Sequence, residues 1–143
     1  MRHVAVFDTN VLLSGLGWKG KPYQCLELAR AGEIEALTCS EIMDELSEKL
    51  QTKLRFSTDQ VVETLADLLS ILQVVKITNQ FKVVEADPDD DKVLECAVVG
   101  RATVIVSGDR LHILPLGSYQ GIQIVNPAGF LQLLASESDS SNS

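Results

Sequence analysis

The sequence predicts an α/β domain built on a parallel sheet, and three observations carry that expectation. Two short apolar runs, Val4 to Phe7 and Thr103 to Val106, are rich in β-branched residues and stop abruptly, as strands buried on both faces do. Each leads to an aspartate: Asp8 directly behind the first run, and Asp109 behind Ser107 and Gly108 after the second. Between them strand-like runs alternate with helical periodicity, which implies right-handed crossovers and a parallel sheet. In such a sheet the strand ends and the starts of the following helices share one edge, where open α/β sheets bind ligands. An aspartate at that edge is a candidate site residue; the plainer reading is a turn residue capping the next helix.

Size and composition set the bounds. A chain of 143 residues, 45% hydrophobic and 22% charged, suits one domain with one core, expected over residues 1–135. The polar stretch 136–143 reads as a disordered tail. No apolar run approaches the roughly 20 residues that span a bilayer, and the start lacks the order of a secretory signal. A cytoplasmic protein without membrane contact is expected. Cys25, Cys39 and Cys96 are odd in number, dispersed and without CxxC spacing, so they read as reduced, buried thiols. The net charge of −8 is awkward for a nucleic-acid binder. Much of the acidity is concentrated, however, between Glu85 and Asp91 and in the tail. Carboxylates that bind divalent cations present a less negative face than their formal count.

Taken in order, Val4 to Phe7 is the first strand, and Val11 to Leu13 begins a short helix. Gly15 to Pro22 (GLGWKGKP) reads as a loop or lid carrying Trp18, Lys19 and Lys21. Interleaved bases and an aromatic suit nucleic-acid contact; a Trp18 packed on the core is the alternative. Pro22 suits the first turn of a helix to Ala31, stopped by Gly32. Ile34 to Thr38 is a second strand, and Ser40 caps a helix to about Lys53 with Ile42, Leu46 and Leu50 as its core stripe. The stem of Lys49 lies at the margin of that stripe, and Glu41 and Glu45 share a neighbouring face. Ser57 or Thr58 caps a helix from Asp59 to about Leu72, and Gln73 to Ile77 extends as a third strand. Beyond Phe81 to Val84 lie Glu85, Asp87, Asp89, Asp90 and Asp91, with a helix running on through Ala97. The helix dipole favours acids in a first turn. Three consecutive aspartates exceed capping needs and point to full solvation or a bound cation. After Asp109 come a short connection with His112, a last strand from Ile122 to Val125 and a helix opened by Pro127.

Four acidic places therefore stand out: Asp8, Glu45 or Glu41, Asp90 or Asp91, and Asp109. Taken with their surroundings, VFDTNVLLSGL, CSEIMDELSEKL, DPDDDKVLECA and VIVSGDRLHIL, their order resembles the PIN-domain ribonucleases. Within that family the likeness is to the toxin components of bacterial toxin–antitoxin systems. The matching pieces run from about residue 3 to residue 134. The resemblance implies a three-layer α/β/α sandwich with a central parallel sheet, frequent homodimerisation, Mg²⁺ or Mn²⁺, single-stranded RNA as substrate and a cognate antitoxin. Carried over residue by residue, it makes Asp8, Glu45, Asp90 and Asp109 the catalytic acids, with Asp91 adjacent to the third. Asn10 supports Asp8. Ser107 stands where many members have threonine and keeps the hydroxyl, while position 91 is often asparagine.

The chemistry suits that set. Mg²⁺ prefers oxygen ligands and keeps several waters, so carboxylates on rigid strand and helix ends serve without His or Cys. Asp8 and Asp90 are then expected as ligands, with Asp91 an alternative to Asp90. Asp109 and Glu45 bind a second ion or its waters, and Asn10 and Ser107 orient the acids. Lys19, Lys21 and Arg110 are the candidate substrate-binding residues. Two rival readings remain: a noncatalytic PIN-like module that binds RNA or protein, and phosphoryl transfer through an aspartyl phosphate at Asp8. Asn10 stands where haloacid-dehalogenase-like phosphatases carry a second aspartate, which disfavours the latter.

Overall fold

Why Val4 to Phe7 becomes the central strand is visible in its burial: Ala5, Val6 and Phe7 are all enclosed, so both faces of the strand are covered. In a computed structural model that describes residues 2–79, 88–109 and 113–141, the side chains of 88–90 and 138–141 excepted, this run is β1 (Val4–Phe7). There follow α1 (Thr9–Gly17), α2 (Lys21–Arg30), β2 (Glu35–Thr38), α3 (Ser40–Thr52), α4 (Thr58–Leu69) and β3 (Leu72–Val74). After the undescribed stretch come α5 (Pro88–Val99), β4 (Val104–Val106), a 3₁₀ turn at Leu114–Leu116, β5 (Ser118–Tyr119), β6 (Ile122–Val125) and α6 (Pro127–Ser141).

The strands form one six-stranded sheet in the order β3-β2-β1-β4-β6-β5. Val6 pairs in parallel with Leu37 on one side and Ile105 on the other. The chain steps outward from β1 through β2 to β3, then crosses back to lay β4 on the far side of β1. Strand order thus reverses between β1 and β4, which makes their carboxyl ends the switch point where such sheets hold ligands. Right-handed crossovers running in opposite directions place helices on both faces, giving the expected three layers. The edge strand β5 pairs antiparallel with β6, so the sheet is mixed, not wholly parallel.

The core is continuous across the sheet. Phe7, Leu12, Ile42, Leu46, Leu50, Leu68, Leu94, Ile105 and Phe130 are fully buried, each worth roughly 1.5–3 kcal/mol of transfer free energy. Phe130 of α6 meets Phe7 edge to face, with ring centroids 6.4 Å apart. The three cysteines are free and buried, as their spacing predicts. Among the described residues no helix is long and apolar enough to cross a membrane.

Several boundaries differ from the sequence reading. The expected lid of Gly15 to Pro22 shrinks to Trp18, Lys19 and Gly20, because α1 continues through Gly17. Gly15 is not a breaker there: a Cβ would fall 2.6 Å from the Leu26 side chain, so its absence lets α1 and α2 pack closely. Trp18 is 63% exposed and does not pack on the core. Cys39, not Ser40, occupies the N-cap of α3, and the Ser40 hydroxyl donates to Glu41. Helix α4 stops at Leu69 and β3 begins at Leu72, and the apolar Val62 and Leu69 of α4 are exposed. Helix α6 runs to Ser141, through the segment read as a disordered tail, and Glu137 bonds to His3 at 2.9 Å. Phe81 to Val84, Glu85, Asp87, Arg110 and His112 lie outside the described residues.

Candidate metal and phosphodiester site

Asp8 extends the sheet by one residue and starts a helix at the same time. Its N–H donates to the Val106 carbonyl at 3.0 Å, continuing the β1–β4 pairing past both strands. Its Oδ1 accepts from the Val11 N–H at 2.9 Å as the N-cap of α1. The capping reading and the site reading are thus compatible, because the second oxygen, Oδ2, is left to accept from the Ser107 hydroxyl. The Ser107 N–H is held by the Val125 carbonyl at 2.9 Å, which fixes its hydroxyl over the end of β4. That hydroxyl also accepts from the Asp109 N–H at 3.0 Å. Ser107 is therefore a fully buried bridge between the two acids that the strands deliver.

Asp8 is only 4% exposed. Burial pushes its carboxyl above the usual range, the hydrogen bonds from Ser107 and Val11 oppose that shift, and the charge of Asp109 adds to it. Among the described residues Asp8 has donors but no cation as partner.

Helix α3 brings Glu45 to the same cleft. Glu45 accepts from the Thr9 hydroxyl at 3.2 Å and pairs with Lys49, one turn along, at 3.1 Å. It also pairs with Lys92, which reaches across from α5. Burial works against the charge on Glu45, but the ammonium groups of Lys92 and Lys49 outweigh it and hold the carboxyl below its ordinary value. Lys49 also donates to Asn10 Oδ1 at 2.8 Å. The Asn10 side chain, expected to support Asp8, is thus turned to Lys49, and its backbone N–H assists Asp8 instead. The resulting cleft, about 340 Å³, is lined by Asp8, Thr9, Asn10, Glu45, Glu48, Lys49, Thr52, Lys53, Val93 and Asp109.

The other predicted residues fall as follows. Asp90 lies in the first turn of α5, three residues before the cleft-lining Val93, and its side chain is outside the described set. Asp91 is buried. Glu41, the alternative to Glu45, accepts from the Asn79 amide at 2.7 Å and does not line the cleft. Lys19 is exposed in the turn before α2. Lys21 lines a neighbouring cavity of about 260 Å³ with Gly108 and Asn126. Arg110 is outside the described residues. Sequence reasoning missed Lys92 and Thr9 and gave Lys49 only a packing margin. The four-residue spacing of Glu45 and Lys49 was a usable signal. Nothing local marks Lys92, whose partner lies on another helix.

The donor set fits a hard cation. Among the described residues no three His, Cys, Asp or Glu side chains are placed to enclose an ion on their own. Asp8 and Asp109 nevertheless stand close enough to repel, and Asp8 is a buried carboxylate whose ionised form calls for positive charge. Asp8 and Asp109 are the described residues that would hold it.

Comparison with known proteins agrees with this architecture. The structure is similar to VapBC2 from Rickettsia felis bound to a DNA fragment from their promoter, at 16% identity and a TM-score of 0.63, over 86% of this chain and 98% of that one. It is also similar to the RRP44 PIN domain of T. brucei, at 15% identity and a TM-score of 0.56, over 98% of this chain and 85% of that one. At those identities the likeness is one of fold. No curated protein matches in sequence. The PIN domain profile, by contrast, matches residues 4–111, a span holding all four acidic positions and well over half of the sequence, and the chain belongs to the PIN domain family.

Proposed function

We propose that this PIN domain is a metal-dependent endoribonuclease that hydrolyses phosphodiester bonds of single-stranded RNA, and that it acts as the toxin of a toxin–antitoxin pair. The observation that carries the reading is that Asp8 and Asp109 line one cleft at the switch point of the sheet, the Ser107 hydroxyl tying the Asp8 carboxylate to the Asp109 backbone N–H. Bound there, Mg²⁺ or Mn²⁺ would lower the pKa of a water and neutralise charge developing on the phosphate. Asp8, Asp90 and Asp109 would hold the ion, with Asp91 the alternative to Asp90. Ser107 and the Val11 N–H fix the Asp8 carboxylate in one orientation, in which it would be presented to the cation. Glu45 works through the lysines it holds, and the Thr9 hydroxyl sets its angle. Lys19, Lys21 and Arg110 are the candidate rim contacts to RNA. Family membership and the fold shared with the VapBC2 assembly support a protein partner of the antitoxin type; a homodimeric state is what the resemblance of the sequence motifs implies.

The test is cleavage of end-labelled single-stranded RNA by purified wild-type and Asp8→Asn protein, with Mg²⁺, Mn²⁺ or EDTA. The reading expects metal-dependent cutting by the wild type and at least a thousandfold loss in Asp8→Asn with the fold retained. Tight RNA binding without any cutting would instead support a noncatalytic module.

A further inference from the structure

We propose that Lys49 contacts the scissile phosphate and that Lys53, one helical turn further on, contacts the next, so that the carboxyl half of α3 is the track on which RNA enters the cleft. This rests on the nuclease reading and assigns its substrate path to residues other than Lys19, Lys21 and Arg110. The first ground is position. Lys49 lies in the last turn of α3 and Lys53, four positions further on, is the residue that caps the helix, and both line the cleft that contains Asp8 and Asp109.

The second ground is valence. An ammonium has three N–H donors, and Lys49 spends two of them, on Asn10 Oδ1 at 2.8 Å and Glu45 Oε1 at 3.1 Å. Among the described residues nothing takes the third, and its side chain keeps 23% of its surface open. Lys92 is the contrast: 11% exposed and set on the other Glu45 oxygen, it is placed to fix the carboxylate and not to meet a ligand. The two lysines divide the work, Lys92 holding Glu45 and Glu45 aiming Lys49.

The third ground is charge. The net charge of −8 forbids a broadly attractive surface, so an anionic strand needs local cations. Asp8 and Asp109 lie at the strand ends of the cleft, while Lys49 and Lys53 stand along its helical wall beside Glu48 and Glu45, the latter already paired with Lys49 and Lys92. A phosphodiester laid along that wall would meet an ammonium on the side opposite Asp8 and Asp109, the acids that would hold the cation.

The experiment separates this inference from the reading beneath it. Binding of a fluorescein-labelled single-stranded RNA dodecamer is measured in EDTA across KCl concentrations, and cleavage is measured with Mn²⁺, for wild type, Lys49→Met, Lys49→Arg, Lys53→Met and Lys76→Met. Each lost phosphate contact lowers the slope of log affinity against log salt by about 0.7. Lys49→Met and Lys53→Met are expected to lose about that much each, and Lys49→Met at least tenfold in kcat/KM, with Lys49→Arg recovering most of both. Lys76, exposed and away from the cleft, controls for net charge and should leave the slope unchanged. A Lys49 that only positions Glu45 would alter cleavage without moving the slope, and that result overturns the proposal. If Lys49→Met fails to fold, the exposed Lys53 decides: an unchanged slope in Lys53→Met removes the track. Wild-type protein that cuts no RNA with either metal sinks the nuclease reading, and the track with it.

Discussion

Replacing Ser107 by alanine removes one oxygen atom that the structure gives two tasks. The hydroxyl donates to the Asp8 carboxylate and accepts from the Asp109 N–H at 3.0 Å, with no exposure to solvent that could replace either bond. A hydrogen bond to a charged group contributes about 1.5–3 kcal/mol and one between neutral groups about 1 kcal/mol. Ser107→Ala should therefore cost about 3 kcal/mol at pH 8, a large part of a typical domain stability of about 5–15 kcal/mol. For a domain of this size that corresponds to a melting temperature lower by roughly 10 °C. The cost depends on pH with a definite sign. Burial raises the folded-state pKa of Asp8 above its unfolded value, so its proton is bound more tightly by the native state and stability declines as pH rises through that range. The Ser107 bond opposes the shift, so its loss enlarges the decline: Ser107→Ala should be least harmful at pH 4 and most harmful at pH 8. Urea unfolding in EDTA at both values measures this, with Ser107→Thr as the variant that keeps the hydroxyl. A Ser107→Ala penalty that is equal at pH 4 and pH 8 would refute the bridging role.

Three further outcomes follow from the same contacts. Lys92→Met should lower stability by about 1–3 kcal/mol at pH 7, because it leaves a half-buried Glu45 short of a cation; since Glu45 titrates below its ordinary value, that penalty should fade as pH drops through the folded-state pKa, which unfolding at pH 7 and pH 3.5 would show. In calorimetric titration with Mn²⁺, Asp8→Asn should weaken binding at least tenfold and Glu45→Gln less than threefold, because both Glu45 oxygens are already engaged by Lys49, Lys92 and Thr9. Gly100→Ala should cost about 1–3 kcal/mol in urea unfolding, since a Cβ there lies 2.5 Å from Leu37 Cδ1 and 3.0 Å from the Cys96 carbonyl, and backbone cannot yield as a side-chain tip can.

What the sequence disclosed, and what it withheld, divides along a physical line. Asp8 and Asp109 were legible because each closes an apolar run, and a parallel sheet sends such ends to one edge. The bridge between them was half legible: Ser107 could be named as an orienting hydroxyl, while its second bond to Asp109 needed the turn geometry. Lys92 was illegible, since its meaning comes from α5 packing near α3 and no local period encodes that. The loop predicted around Gly15 failed for a related reason. Glycine there answers to the Leu26 side chain of another helix and not to its own helical propensity. The strand β5 is two residues long, too short for any alternation to register. Helix α4 misled by being apolar on more sides than it buries, Val62 and Leu69 facing solvent.

The central claim is that the carboxylates gathered at the ends of β1 and β4 exist to hold a divalent cation. Anomalous scattering from a Mn²⁺-soaked crystal tests it most directly. The account predicts a peak within bonding distance of both Asp8 and Asp109, lost in Asp8→Asn crystals; saturating Mn²⁺ that leaves this place empty, in protein that still cuts RNA, would contradict it.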